Sequence, residues 1–336
     1  MLFALEKLQE VEASHRSRAN LTYPQIFYND KLIGGFEDLV KFMMPTYNYK
    51  RLYQIAYQLV VNLDKTIDIS FYPTDEARFS NLRHRPIGLG VQGLIDTLFQ
   101  MRIAFDSEEA LEMNRKLFAT IYYGALKASN DLAIKREDKA SEFVNQYKQK
   151  EGLEEIPTVY RKEFTLNDEN LNRLYHLVKP NRQDLSRDSH HGAYSSFIGS
   201  LFSEGKLQYD MWDNTKISGP QIVEYEDFKT DWAELKQSIV NHGTKNSMLT
   251  ALMPTASTSQ ILGNNECFEP MTNNIYTRRT LAGNFTLVNK FLINDLTSIG
   301  RWNNDVKQMI LANNGSIQNI SDIPTLYKNL YKMVWE

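Results

Sequence analysis

Residues 247–269, SMLTALMPTASTSQILGNNECFE, combine a short apolar run, a proline and a burst of small hydroxylated residues. The apolar run at 247–253 is short enough for a buried strand that ends at Pro254. Small side chains let backbone N–H groups approach a ligand closely, and hydroxyl groups add further donors. A strand, such a turn and a helix N-terminus together are typical of an anion site. The alternative interpretation is a helix N-cap with no ligand.

The same stretch belongs to a longer pattern. The block MPTASTSQILGNNE, with EP and NIYTRR after it (253–279), resembles the large subunit of aerobic ribonucleotide reductases. RHRPIGLGVQGL (83–94), IYYGALKAS (121–129), LQYDMW (207–212), NGSIQNI (314–320) and LYKNLYKMVWE (326–336) continue the resemblance in the same order. In that family the loop holds the diphosphate of the substrate nucleotide. The resemblance therefore implies that a ribonucleoside diphosphate is bound by Pro254, Thr255, Ala256, Ser257 and Thr258.

The resemblance also implies a fold and a reaction. Family members are α/β proteins with a ten-stranded barrel made of two antiparallel halves, and they reduce ribonucleoside diphosphates to deoxyribonucleotides for DNA synthesis. We expect residues 47–336 to form an incomplete part of this barrel. The chain lacks the family's ATP domain, effector loops, catalytic-cysteine segment and cysteine tail, so it would supply the phosphate-binding side only. The alternative is a non-catalytic nucleotide-binding or scaffold remnant of a split or truncated reductase gene.

The partners follow from the same resemblance. They are the missing N-terminal part of the large subunit, a small subunit whose metal cofactor generates the radical, and glutaredoxin or thioredoxin as reductant. We expect no cofactor and no metal on this chain, and no catalytic residue within it. The pair His190-His191 shows no third ligand at a clear spacing. Asn265, Cys267 and Glu269 repeat the family's catalytic Asn-x-Cys-x-Glu spacing, but they follow the phosphate loop, so we interpret them as a structural near-match.

The first 44 residues have a different pattern. Residues 26–28 and 32–33 are predicted strands around an Asn29-Asp30 turn, and 37–43 are a predicted helix. This arrangement resembles the second half of a glutaredoxin, which implies glutathione contacts at Thr22, Pro24, Gly35 and Asp38. The segment contains no cysteine, so thiol chemistry is excluded within it. The alternative is a β-hairpin–helix appendage without function.

Residues 138–193 are polar, and the family connection at this point is short, so we predict a surface insertion.

Glycines at 88, 90 and 93 spell G-x-G-x-x-G, but no apolar strand precedes them, and the family explains them by close packing rather than dinucleotide binding. Amphipathic periodicity and caps predict helices at 49–64, 92–100, 108–134, 287–298, 302–312 and 326–335, and one that ends near Gly243.

The overall composition is ordinary for a soluble globular protein. The net charge of −3 gives no general attraction to DNA or to anionic membranes. The sequence has no apolar run long enough for a transmembrane helix. A single cysteine rules out an internal disulfide framework and suits a reducing compartment. We therefore expect a cytoplasmic protein that binds neither DNA nor membrane.

Overall fold

The computed structural model describes residues 26–29, 31–34, 46–151, 190, 192–211, 222–225, 228–281 and 283–336. These residues fall into two compact units. The larger unit draws on the ranges 48–96 and 105–272, and the smaller unit on the first 47 residues, 97–104 and 273–336. The phosphate-loop candidate lies in the larger unit.

The described elements follow one another along the chain as short strands and longer helices. The helices are α1 (Tyr49–Ile69), α2 (Asp75–His84), α3 (Leu94–Gln100), α4 (Glu108–Glu151), α5 (Trp232–His242), α6 (Thr258–Leu262), α7 (Lys290–Ser298), α8 (Asn304–Ala312) and α9 (Thr325–Leu330). The strands are β1 (Ile26–Tyr28), β2 (Lys31–Gly34), β3 (Glu224–Tyr225), β4 (Phe228–Lys229), β5 (Ile275–Thr280) and β6 (Gly283–Val288).

Several helices begin at polar residues whose side chains cap the first helical turn. The side chains of Asn48, Thr74 and Asp231 accept N–H bonds at the starts of α1, α2 and α5. The Ser107 hydroxyl accepts the Ala110 N–H at 3.1 Å and caps the start of α4. Each cap satisfies a donor that the first helical turn would otherwise leave unpaired.

Close packing of α1 on α4 forms the core of the larger unit. The two helices approach closely at Gly124, where an added Cβ would lie 3.1 Å from the Tyr53 carbonyl oxygen and 3.2 Å from the Ala56 Cβ. Val60 and Leu126 are fully buried in the same core. Trp232, at the start of α5, packs edge-on to the Tyr123 ring with centroids 5.1 Å apart. The small residues therefore set the spacing and the aromatic residues fill the volume around it.

A parallel pair of extended segments carries the loop. Leu89 and Thr250 form a parallel bridge, and the Ile87 N–H donates to the Met248 carbonyl at 3.0 Å. The Ala251 N–H donates to the Leu89 carbonyl at 2.9 Å. A Cβ at Gly88 would lie 2.9 Å from the Ala251 Cβ. This glycine is thus required for close approach of the two segments.

Among its described residues, the smaller unit contains the β1–β2 and β5–β6 hairpins and the helices α7, α8 and α9. Strands β5 and β6 are antiparallel from Ile275↔Val288 to Thr280↔Gly283. The last predicted helix is shorter than its pattern suggests, because α9 ends at Leu330 and the chain then turns. The Glu336 side chain accepts the Met333 N–H at 2.8 Å within that turn.

The predicted barrel is present only in part. Within the described ranges the named strands form three separate two-stranded antiparallel sheets, so the structure is helix-rich and the sheet is not closed. The expectation was an incomplete part of an α/β barrel, and the described residues are more helical than that expectation implies.

Two predicted segments are only partly covered by the described residues. The hairpin of β1 and β2 is antiparallel through Tyr28↔Lys31, which confirms the predicted strand–turn–strand. Thr22, Pro24, Gly35 and Asp38 lie outside the described residues, so the glutaredoxin interpretation stays a prediction. In the predicted insertion, α4 continues to Glu151 and Ala193 is fully buried, while residues 152–189 lie outside the described part.

Candidate functional site

The five predicted phosphate-binding residues lie together in one loop, but they do not have equal roles. Pro254, Ala256, Ser257 and Thr258 are exposed, whereas Thr255 is buried with 8% of its surface accessible. The Thr255 hydroxyl accepts the Cys267 N–H at 2.8 Å, and its φ is +56°. A threonine with positive φ is uncommon and is found mainly where the surroundings hold it. Thr255 therefore shapes the loop with its hydroxyl, which leaves its neighbours to face a ligand.

The helix after the loop is short. Helix α6 has five residues, and Ser257 at its N-cap makes no side-chain cap bond. The Thr258 hydroxyl donates to Gln92 Oε1 at 2.9 Å instead. The hydroxyls of this loop are thus not used as a conventional cap. A helix of one turn adds little dipole, so an anion here would be bound by neutral backbone and hydroxyl donors.

Residues 92–96 form a second segment that is hydrogen-bonded to the residues after the loop. The Gly93 N–H donates to the Asn265 carbonyl at 3.0 Å, and the Asn265 N–H donates to Asp96 Oδ2 at 2.7 Å. Gly93 has φ +74°, and a Cβ there would lie 3.2 Å from the Asn264 Cβ. Sequence reasoning treated this glycine segment only as packing and missed Gln92 and Asp96. The sequence did point to this segment, because Gln92 lies within the block RHRPIGLGVQGL (83–94) and Asp96 lies two residues after it.

The Asn-x-Cys-x-Glu pattern is built into a turn. Asn265 Nδ2 donates to the Glu269 main-chain carbonyl at 2.7 Å, so this amide is used to close the turn. Cys267 is a free, buried cysteine with 3% exposure and φ +45°. Its backbone N–H is bound to Thr255, as described above. These contacts favour the structural interpretation of the motif.

A buried charge network fixes the start of the parallel pair. Asp64 and Arg85 are each 2% exposed in their side chains, and their ion pair measures 2.9 Å. Lys245 Nζ lies 2.6 Å from Asp64 Oδ2. Asn246 Nδ2 donates to Asp64 Oδ1 at 3.1 Å and to the Arg85 carbonyl at 3.0 Å. The network therefore links α1, the end of α2 and the segment that leads into the loop.

Within this network the buried Asp64 charge is compensated by the charges of Arg85 and Lys245. Burial alone would raise the pKa of the Asp64 carboxyl, but the Arg85 guanidinium and the Lys245 ammonium outweigh burial, so the pKa lies below its ordinary value. Burial lowers the pKa of Lys245 against the opposing effect of Asp64. Asp68, also paired with Arg85 at 2.7 Å, is 46% exposed. The Asp64 charge is thus held by partners rather than by water.

The larger unit also contains an apolar cavity beside the parallel pair. Its volume is about 440 Å³, and its lining includes Leu89, Val91, Phe118, Tyr122, Trp232 and Leu252. The cavity lies on the helix side of the segment that ends in the loop.

Among the described residues, no group of three His, Cys, Asp or Glu side chains is arranged to hold a metal ion. His190 Nε2 lies 2.8 Å from the Val240 carbonyl oxygen.

The helix-rich α/β fold places an exposed hydroxyl-bearing loop at the end of a parallel pair. Residues 38–336 match the family model "Ribonucleotide reductase, barrel domain". The chain belongs to this ribonucleotide reductase barrel-domain family. The match begins nine residues before Tyr47, where the sequence blocks first indicate the family.

Relatives at about 42% identity agree with this assignment. The chain is 42% identical over 301 residues to the ribonucleoside-diphosphate reductase large subunit of Plasmodium falciparum, covering 90% of this chain and 29% of that protein. It is 42% identical over 291 residues to the ribonucleoside-diphosphate reductase large chain 2 of Saccharomyces cerevisiae, covering 87% of this chain and 26% of that protein. The Actinobacillus ureae class Id ribonucleotide reductase alpha subunit is 20% identical, with a TM-score of 0.45 and coverage of 84% of this chain and 34% of that chain.

The chain thus corresponds to a partial region of the large subunits it matches, spanning 29% and 26% of the two relatives named. Within the part of the chain that the structure describes, no helix is both long and apolar enough to cross a membrane.

Proposed function

We propose that the chain acts as part of the large subunit of a ribonucleoside-diphosphate reductase and holds the substrate diphosphate at residues 254–258. The observation that carries this proposal is the exposed loop itself. Ala256, Ser257 and Thr258 are accessible, while Thr255 and Cys267 brace the backbone from inside. Lysine and arginine are absent from residues 254–258, so the phosphate contacts come from backbone N–H groups and hydroxyls.

The proposed reaction is reduction of the ribose 2′-hydroxyl, which yields a deoxyribonucleotide. The single cysteine of this sequence is buried in a turn, so the thiols of the reaction belong to the remaining part of the large subunit. The radical comes from a metal-containing small subunit, and glutaredoxin or thioredoxin restores the thiols. We place the reaction in the cytoplasm, where cysteines stay reduced.

The remainder of the large subunit, on the same or a separate chain, would cover the open face of the larger unit. Large apolar side chains are exposed around the parallel pair and its loop, namely Met248 at 59%, Leu252 at 45%, Met253 at 52%, Ile261 at 81% and Leu262 at 70%. Several exposed large apolar side chains near one loop are expected where a partner surface binds. Parallel strands are normally covered on both faces, so this surface suits further strands and helices of the subunit.

The test is a calorimetric titration of ADP into the complete large subunit that contains this chain. A double variant, Ser257→Ala with Thr258→Ala, should weaken binding by roughly ten- to a hundredfold, because the Ser257 hydroxyl donor and the Thr258 hydrogen bond to Gln92 are both lost. Ala256→Asp should weaken binding further, because it places a like charge against the phosphates. Ser80→Ala, at an exposed position of α2, is the matched control. Unchanged affinity in the Ala256→Asp protein would place the phosphates elsewhere.

A further inference from the structure

Gln92 is the residue of the supporting segment that contacts the phosphate-loop candidate directly. It lies between Gly90 and Gly93 and is half-buried. Its Oε1 accepts the Thr258 hydroxyl at 2.9 Å. Its Nε2 atom is shielded from solvent and has no hydrogen-bond partner. A shielded donor without a partner costs free energy, so a native protein rarely keeps one unless something binds there.

Other unpaired polar atoms border the same loop. Ser259 is fully buried, and its Oγ has no hydrogen-bond partner. The Asn264 Oδ1 atom is also shielded from solvent and has no hydrogen-bond partner. The Ser259 carbonyl accepts the Asn264 N–H at 3.1 Å, and Asn264 packs against Gly93, the residue after Gln92. The unpaired atoms therefore lie in one small region that joins the two segments. Each of these atoms requires a partner from outside the chain, and of the two amide atoms only Gln92 Nε2 is a donor that can bind an anion.

The geometry at Thr258 determines which atom of the Gln92 amide is free. The Thr258 hydroxyl has two acceptors in reach, Gln92 Oε1 at 2.9 Å and the Thr255 carbonyl at 3.3 Å. One hydroxyl oxygen engages one end of the amide, so the other end has no partner in either orientation of the amide. An anion selects the orientation that presents the NH₂ group. The Thr258 hydroxyl thereby orients a neutral donor beside the loop.

We propose that Gln92 is a binding residue for the substrate diphosphate, donating its Nε2–H to a phosphate oxygen held at residues 254–258. This inference rests on the proposed function of the loop. Gln92 supplies a donor from outside the loop, which matters because residues 254–258 contain no cationic side chain. Bound phosphate then bridges the glycine segment and the loop. Binding also pairs a donor that the free protein leaves unsatisfied, which favours the bound state.

The experiment compares two isosteric variants by calorimetric titration of ADP into the complete large subunit. Gln92→Met keeps the volume of the side chain and removes both polar atoms, so ADP affinity should fall by about tenfold. Gln92→Glu places a carboxylate beside the phosphates and should reduce affinity by about a hundredfold or more. Gln58→Met is the matched control, because the Gln58 amide on α1 is exposed and bonds only locally, to Asn62 at 2.9 Å. The control should bind ADP as the parent does.

The thermal midpoint separates binding from folding. A residue with a merely structural role would lower ADP affinity only as far as it lowers the midpoint, and Met and Glu would act alike. The proposal requires a larger loss with Glu than with Met at matched midpoints. If both Gln92 variants bind ADP like the parent while Ala256→Asp does not, Gln92 is excluded and the loop stands. If Ala256→Asp also binds normally, the loop function fails and this inference fails with it.

Discussion

The buried charge network allows a sharp test, because one arginine is paired with two carboxylates on the same helix. Asp64 and Asp68 both lie on α1 and both contact Arg85. They differ in exposure, since Asp64 is 2% and Asp68 46% accessible in their side chains. We therefore predict that Asp64→Ala is strongly destabilising and that Asp68→Ala is not.

The magnitudes follow from what each variant leaves behind. Without Asp64, the Lys245 ammonium loses its partner at 2.6 Å, and the Asn246 amide loses an acceptor at 3.1 Å. Removing one member of a buried ion pair costs about 3–5 kcal/mol, because an uncompensated charge remains out of water. Asp68 is solvated, so its loss should cost at most about 1 kcal/mol. The expected difference in unfolding free energy between the two variants is thus about 2–5 kcal/mol.

The assay is urea unfolding of the full chain followed by circular dichroism. The change in free energy is taken from the midpoint, provided that the denaturant slope of each variant equals that of the parent. A third variant, Lys245→Met, tests whether the cost comes from the unpaired ammonium. In combination with Asp64→Ala it should recover part of the lost stability. Equal destabilisation by Asp64→Ala and Asp68→Ala would refute the reasoning.

The remaining predictions concern pH, packing and the single cysteine. Because the pKa of Asp64 lies below its ordinary value, its stabilising effect is complete above about pH 4 and is lost as pH falls through the lowered value. An Asp64→Asn chain should therefore lose less stability than the parent on acidification, as urea midpoints measured from pH 6 downward would show. Gly88→Ala should cost about 1–3 kcal/mol, because its Cβ would lie 2.9 Å from that of Ala251. Ala251→Gly in the same chain should restore the urea midpoint, and a double variant no better than the single one would speak against this clash. Cys267→Ser should keep turnover of the complete complex within a few-fold, because the Cys267 contact to Thr255 is made by the backbone; complete loss of turnover would contradict the structural role.

Local sequence patterns were sufficient for much of the helical structure. The caps at Asn48, Ser107 and Asp231 depend on side chains a few residues from the N–H groups that they bind, so a short window of sequence contains the information. The positive φ of Gly243, which ends α5, is also a local property. The β1–β2 hairpin was predicted from the Asn29-Asp30 turn for the same reason.

The ends of some elements could not be predicted from local patterns. Helix α1 continues to Ile69, beyond the predicted end at 64, where Ile67 is buried. The final helix stops at Leu330, although apolar spacing continues to Val334. Periodicity describes which face of a helix can be buried, but the surrounding elements decide how far that face is covered.

The sequence by itself determined the family, the position of the phosphate-loop candidate and most of the helices, because these are carried by contiguous residues. Only the tertiary structure decided how the loop residues are used. In the folded chain the Thr255 hydroxyl accepts the backbone N–H of Cys267, 12 residues away. The Thr258 hydroxyl donates to Gln92, 166 residues earlier in the chain. The tertiary structure also buried Arg85 between Asp64 and Asp68. Such contacts depend on chain closure over long separations, and the free energy of closure comes from the whole packed core rather than from any local pattern.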